Sequence, residues 1–228
     1  MPAASIRARV RAEMIDEIKA VARRHLAAEG ANLSLRAVAR DMGMVSSALY
    51  RYFASRDDLL TALILDAYNA LGAAVEAADA AIGDRSELRS RWLAAARAVR
   101  LWALANPAEY ALVYGSPVPG YAAPQDTIPA AARSYAVLGR ILTDAFASGA
   151  LTSHGAAVPA AIRPDLARAS EGISPGLPDA VMLTGITAWI HMFGTVSFEL
   201  FGQFNNVIDA REEFFDIEMG RMADLIGL

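Results

Sequence analysis

The stretch "DMGMVSSALYRYF" (residues 41–53) places a glycine, two serines, two tyrosines and an arginine in a segment of otherwise helical character. On a helical wheel running from about Val45 to Tyr52, Leu49 and Phe53 fall together. Ser47, Ala48 and Arg51 take the opposite arc, with Tyr50 and Tyr52 at its flanks. A polar, solvated helix face accounts for the serines and the arginine but poorly for two tyrosines. Ser and Arg can bond base edges, Ala can meet a thymine methyl, and Tyr hydroxyls can reach phosphates, so this arc suits a helix lying in a major groove.

The flanking sequence supplies the frame for such a helix. A first helix is predicted from about Ile6 to Ala28, with Val10, Met14, Ile18, Val21 and Leu26 inward, stopping at Gly30. Ser34 caps a short second helix ending near Met42. Gly43 provides the positive φ that the tight turn needs, and Ala39 is small where two helices must approach closely. Val38, Met42, Leu49 and Phe53 provide the apolar core of a three-helix head. Ser55 opens a long fourth helix, where Asp57 and Asp58 complement the positive helix end. Two short helices about a glycine turn, preceded by a helix, define a helix-turn-helix.

Charge is distributed to match. Residues 1–56 hold ten Lys and Arg against five Asp and Glu, whereas residues 57–228 hold eleven against twenty. A basic head on an acidic body fits a protein of which only the head approaches phosphates. No cysteine occurs, which excludes disulfides, thiolate nucleophiles and cysteine-bound metals. The histidines His25, His154 and His191 lack metal-ligand spacing, so no cofactor is expected. There is no Gly-rich phosphate loop and no nucleophile elbow, and an enzyme is not expected. The N-terminus carries Arg7, Arg9 and Arg11 without a following apolar run, so the expected location is the cytoplasm. The uncharged run from Ala180 to Phe198 holds His191 at its middle and reads as a buried helix rather than a membrane span.

Helical periodicity dominates the remainder, and the fold class is all-α: a head at 1–54, and a larger helical domain at 55–228 that begins with the connecting helix. Further helices are predicted near 85–105, 107–115, 128–149, 178–203 and 209–226. Residues 115–129 form a proline-rich connection. Residues 152–178 are polar and punctuated by Gly and Pro, as either a functional lid or a disordered linker would be.

The stretch "SLRAVARDMGMVSSALYRYFASRDDLL" (34–60) resembles the helix-turn-helix of TetR-type repressors at Ser34, Val38, Ala39, Gly43, Leu49, Tyr50, Tyr52, Phe53, Ser55, Leu59 and Leu60. Three positions depart from that pattern. Val45 stands where the family usually has a capping Ser, so either Ser46 caps one residue late or the cap is weaker. Arg56 replaces the usual Lys, and Ser47 replaces a common Gly or Pro. The resemblance and the wheel together nominate Ser34, Arg36, Ser46, Ser47, Ala48, Tyr50, Arg51, Tyr52 and Arg56 as the DNA-facing set.

The resemblance also implies a homodimer through the last two helices, which are apolar on more than one face, and a double-stranded DNA operator as partner. Trp189, His191 and Gly194 resemble the Trp-His-Gly signature of one C-terminal subclass, with looser spacing. For a small hydrophobic effector the candidates are Trp102, Tyr110, Tyr114, Trp189, His191, Met192 and Phe193, aromatic and soft side chains with a few polar tips. A hydrogen-bonded core histidine is the competing reading of His191. The implied function is a ligand-responsive transcriptional regulator, a repressor released from a pseudo-palindromic operator. The alternative is a DNA-binding regulator controlled by a protein partner.

Overall fold

Residues 3–30, 33–151 and 158–228 are described by the computed structural model; among them all regular structure is helical. In chain order the helices are α1 (Ala3–Glu29), α2 (Leu35–Asp41), α3 (Ser46–Leu49), α4 (Arg56–Ala81), α5 (Leu88–Ala105), α6 (Pro107–Tyr114), α7 (Ile128–Ala147), α8 (Arg163–Ile173), α9 (Asp179–Leu200) and α10 (Arg211–Ile226), with a 3-10 turn at Gln125–Thr127. The chain divides into two units. The first comprises residues up to Ala67 together with Asn106–Thr127, and the second comprises Tyr68–Ala105 and Ile128–Leu228.

The first unit forms around Ile18, Val21, Ala22 and Leu26 of α1, Val38 and Ala39 of α2, Leu49 of α3, Phe53, and Leu59, Leu60 and Leu63 of α4. Ala39 is completely buried, and the amide of Met44 reaches back to its carbonyl at 2.9 Å. That return is possible because Gly43 sits at φ 65°. Val10, expected inward, is half-exposed, because α1 overhangs the core by several turns at its start. Residues 106–127 join this unit by packing: α6 lies on α1, Val118 enters the core, and the Tyr121 hydroxyl lies 2.9 Å from the Thr61 hydroxyl. Sequence placed these residues in the second domain because short apolar segments do not declare which core they fill.

In the second unit α10 packs on α9 and α5, while α8 packs on α7 and α9. Trp92 of α5 is buried and donates through Nε1 to the Met219 carbonyl of α10 at 2.9 Å. Arg100 of α5 and Glu199 of α9 make a two-pronged buried pair, both bonds 2.8 Å. Arg91 is fully buried and donates to Asp79 at 2.8 Å, Asp144 at 2.7 Å and the Arg85 carbonyl at 3.1 Å, tying together the end of α4, the start of α5 and α7. Burial pushes the Asp79 carboxyl upward, but hydrogen bonds from Arg91 and Arg85 outweigh that and hold it below the ordinary carboxylate value.

Helix α8 lies within the segment read as either a lid or a linker. Pro164 in its first turn and Asp165 near its positive end are ordinary start signals. They were outweighed by a composition with few apolar residues, since α8 buries little beyond Leu166 and Ser170. Residues 152–157 of that segment, including His154, lie outside the described residues. α4 and α9 are long and apolar enough to cross a bilayer. Each also supplies core, α4 through Leu59, Leu60, Leu63 and Leu71 and α9 through Met182, Ala188, Met192 and Val196.

Candidate functional site

The short α3 begins at Ser46 behind Val45, which makes no side-chain cap bond, so the weaker-cap alternative is the one observed. α2 is capped by Ser34, whose Oγ accepts from the Ala37 amide at 3.4 Å, and α4 by Ser55, whose Oγ accepts from the Asp58 amide at 3.0 Å. These caps and the buried Leu49 and Phe53 orient the candidate face. Ser47, Tyr50 and Arg51 are exposed on it, while Ser46, Ala48 and Tyr52 are partly exposed. Ser34, Arg36, Tyr50 and Arg56 line one open groove with Leu33, Leu35, Ala54 and Ser55.

Two side chains have a further structural task. Arg56 donates through Nε to the Leu33 carbonyl at 3.0 Å, bracing the entry of α2 as well as facing the groove. Tyr52 lies under the Arg11 guanidinium, 5.1 Å from ring centroid to charge, and Arg11 also donates to the Arg51 carbonyl at 3.1 Å. Arg11 thus stands beside the end of the recognition segment, which sequence spacing did not reveal because forty residues separate it from Arg51. His25 Nε2 lies 2.8 Å from an Asp41 carboxylate oxygen, a further link between α1 and α2.

The seven effector candidates are divided between the two units. Tyr110 and Tyr114 belong to the first unit, with Tyr110 fully buried, and the other five belong to the second. His191 Nε2 lies 2.8 Å from a Glu218 carboxylate oxygen that α10 supplies, and Met192 is buried in the core. Trp189 lines a cavity of about 270 Å³ within the second unit, walled by Leu138 and Leu142 of α7, Ile173 of α8, and Met182 and Ile186 of α9. Phe193 packs on Trp189 edge to face at 5.8 Å, and Tyr135 does so at 4.8 Å. Among the described residues no group of three or more His, Cys, Asp or Glu could hold a metal ion.

Gly139 lets α8 end against α7. A Cβ there would collide with Ser174 Oγ and come within 2.6 Å of Ile173 Cγ2. Gly139→Ala is therefore expected to cost about 1–3 kcal/mol by forcing the end of α8 away. Urea denaturation checks this, and an unchanged midpoint would mean that α8 gives way freely. The wall leaves a signal in the sequence: Met182, Gly185, Ile186 and Trp189 recur at intervals of one to three on one face of α9.

A helix-turn-helix with an outward Ser, Tyr and Arg face, joined to a second helical unit holding an apolar cavity, defines a DNA-binding regulator. Comparison with known proteins agrees. Residues 18–63 match the model of bacterial regulatory proteins of the tetR family, and residues 92–222 match a tetracyclin repressor-like C-terminal domain. The HTH-type transcriptional regulators Rv1816 of Mycobacterium tuberculosis and Mb1846 of Mycobacterium bovis are each 40% identical over 191 residues, covering 82% of this chain and 81% of theirs. The crystal structure of regulatory protein SCO4313 superposes with a TM-score of 0.76 at 34% identity, over 98% of this chain and 100% of that one. The chain belongs to the TetR family. It is a transcriptional regulator with a helix-turn-helix DNA-binding domain, not an enzyme, and regulators of this family bind DNA operators and typically act as dimers.

Proposed function

We propose that the protein is a cytoplasmic, ligand-responsive repressor that leaves a pseudo-palindromic operator when a small hydrophobic molecule fills the cavity between α7, α8 and α9. The observation that carries this reading is the apolar cavity itself, in the unit that does not hold the helix-turn-helix. Three covalent links join the units, one of them the step from Ala105 of α5 to Asn106 ahead of α6. α4 runs from one into the other, and α7, a cavity wall, follows directly on Thr127. A ligand shifts the head only to the extent that it prefers one arrangement of α4 and α7 over another. Moving the population from 99:1 to 1:99 takes about 5.5 kcal/mol of such preference, which favours a molecule that buries most of its surface. The test is operator binding with and without a panel of hydrophobic compounds. Failure of every compound to release the operator would move control by a protein partner ahead.

On the DNA side, Arg51, Ser47 and Ala48 read bases, while Arg36, Tyr50 and Ser34 hold phosphates. Arg51→Ala is expected to relax preference at particular base pairs by about 1–3 kcal/mol. Arg36→Ala is expected to weaken all sequences alike and lower the salt slope by about one. Titrations on specific and random duplexes at several salt concentrations separate the two, and identical behaviour of both variants would refute the division.

A further inference from the structure

We infer that the cavity takes a neutral, mostly hydrocarbon molecule bearing one hydrogen-bond acceptor of the ketone, ester or ether type, seated between Trp189 Nε1 and Ser174 Oγ. This rests on the reading of the cavity as the effector site and narrows its ligand.

Among the described residues, two buried side-chain polar atoms lack a hydrogen-bond partner: Trp189 Nε1 and Ser174 Oγ. Both belong to residues that line this cavity. That both belong to residues lining the same cavity, Ser174 at the end of α8 and Trp189 on α9, is the observation to be explained, because buried polar groups are nearly always paired and an unpaired one carries the full cost of losing water. Ser174 is 3% exposed, and its hydroxyl is laid against Gly139, where no larger residue fits. Trp189 is held by the edge contacts from Tyr135 and Phe193, so its indole edge is not free to turn elsewhere.

The chemistry of these atoms selects the ligand. An indole N–H only donates, and a serine hydroxyl donates or accepts. An oxygen with two lone pairs suits both. An ammonium would present donors to a donor. A carboxylate would lose its hydration in a wall that contains no cationic side chain. Apart from the Tyr135 hydroxyl, the remaining side chains that line it are hydrocarbon or thioether, so the lining is overwhelmingly apolar. Size follows from volume. A dry protein cavity of about 150 Å³ holds benzene, so one near 270 Å³ suits a molecule of about eleven heavy atoms.

The test uses four probes of equal size on the full-length protein: butyrophenone, pentylbenzene, 4-phenylbutylamine and 3-phenylpropanoate. By isothermal titration calorimetry, Trp189→Phe is expected to weaken butyrophenone about 5- to 10-fold while leaving pentylbenzene within about twofold, and Ser174→Ala to act in the same sense. The amine and the carboxylate are expected to bind at least about tenfold more weakly than butyrophenone. As a readout on the unmodified protein, butyrophenone is expected to move the Trp189 indole N–H resonance downfield, and pentylbenzene is not.

Equal losses for ketone and hydrocarbon in both variants would overturn the inference, as would an indole resonance indifferent to the ketone or no binding by any probe. Operator release is measured separately. If ketone and hydrocarbon bind alike and both release DNA, the ligand class falls and the effector reading stands. If the ketone binds through the indole and DNA stays bound, the effector reading falls and the ligand class stands.

Discussion

Replacing Arg91 with Met is expected to lower stability by about 3–5 kcal/mol, on the order of 10 °C in melting temperature. The guanidinium is fully buried and Asp79 is 4% exposed, so the substitution leaves a buried carboxylate with the Arg85 guanidinium as its one remaining described ion-pair partner and an unfilled acceptor that the surrounding core cannot hydrate. Asp144 and Arg85, by contrast, are about half-exposed and can turn to water. The effect should therefore be rescued in large part by adding Asp79→Leu, which removes the under-compensated buried carboxylate while Arg85 turns to water, and the double variant should be the more stable of the two. The dependence on pH has a definite sign. Arg91 and Arg85 hold the Asp79 carboxyl below its ordinary value, so its contribution is complete above the unfolded value of about 3.9 and is lost as pH falls through the folded one. In Arg91→Met the carboxyl protonates at higher pH, and the gap to wild type narrows as pH drops below the carboxylate range. Thermal melts from pH 7 to pH 3 measure this; a constant gap would show that the loss is one of packing rather than of charge.

The second large effect concerns assembly. Ile190 and Phe198 lie within one arc of α9, with Phe201 following at its C-terminal cap, and are 60%, 54% and 45% exposed. On α10, Ile217 and Leu225 are 56% and 54% exposed, while Phe215, Met219 and Ala223 fill the core behind them. Both helices are thus apolar on two faces, one of which their own unit covers. We propose that the other meets its copy across a two-fold axis. Ile190→Glu combined with Phe198→Glu would place two carboxylates, and their symmetry mates, in that contact. The expected result is a soluble monomer by sedimentation, with operator affinity reduced by at least about 100-fold, because a single head holds only one half-site. Because both positions are exposed in the single chain, the helical content of the monomer should change little, while its melting falls by the stabilisation that association supplied. A dimer of normal affinity carrying both glutamates would place the interface elsewhere.

The sequence by itself determined the all-α class, the helix-turn-helix with its caps and glycine turn, and the outward Ser, Tyr and Arg face. These follow from local rules, in which a cap, a positive φ or a helical period is written within a few residues of where it acts. It also marked the last two helices as having two apolar faces. Only the tertiary structure decided what depends on partners distant in the chain. Residues 106–127 joined the head because Val118 and Tyr121 fit its core, and α8 formed from a polar segment because α7 and α9 cover its few apolar residues. Trp189 lines the apolar cavity of the second unit, whereas Met192 is buried in its core. An aromatic or soft side chain fills a core or lines a cavity with the same composition, and which it does is set by small residues such as Gly139 and Gly185 on the facing helices, whose absent side chains leave no local mark in the sequence.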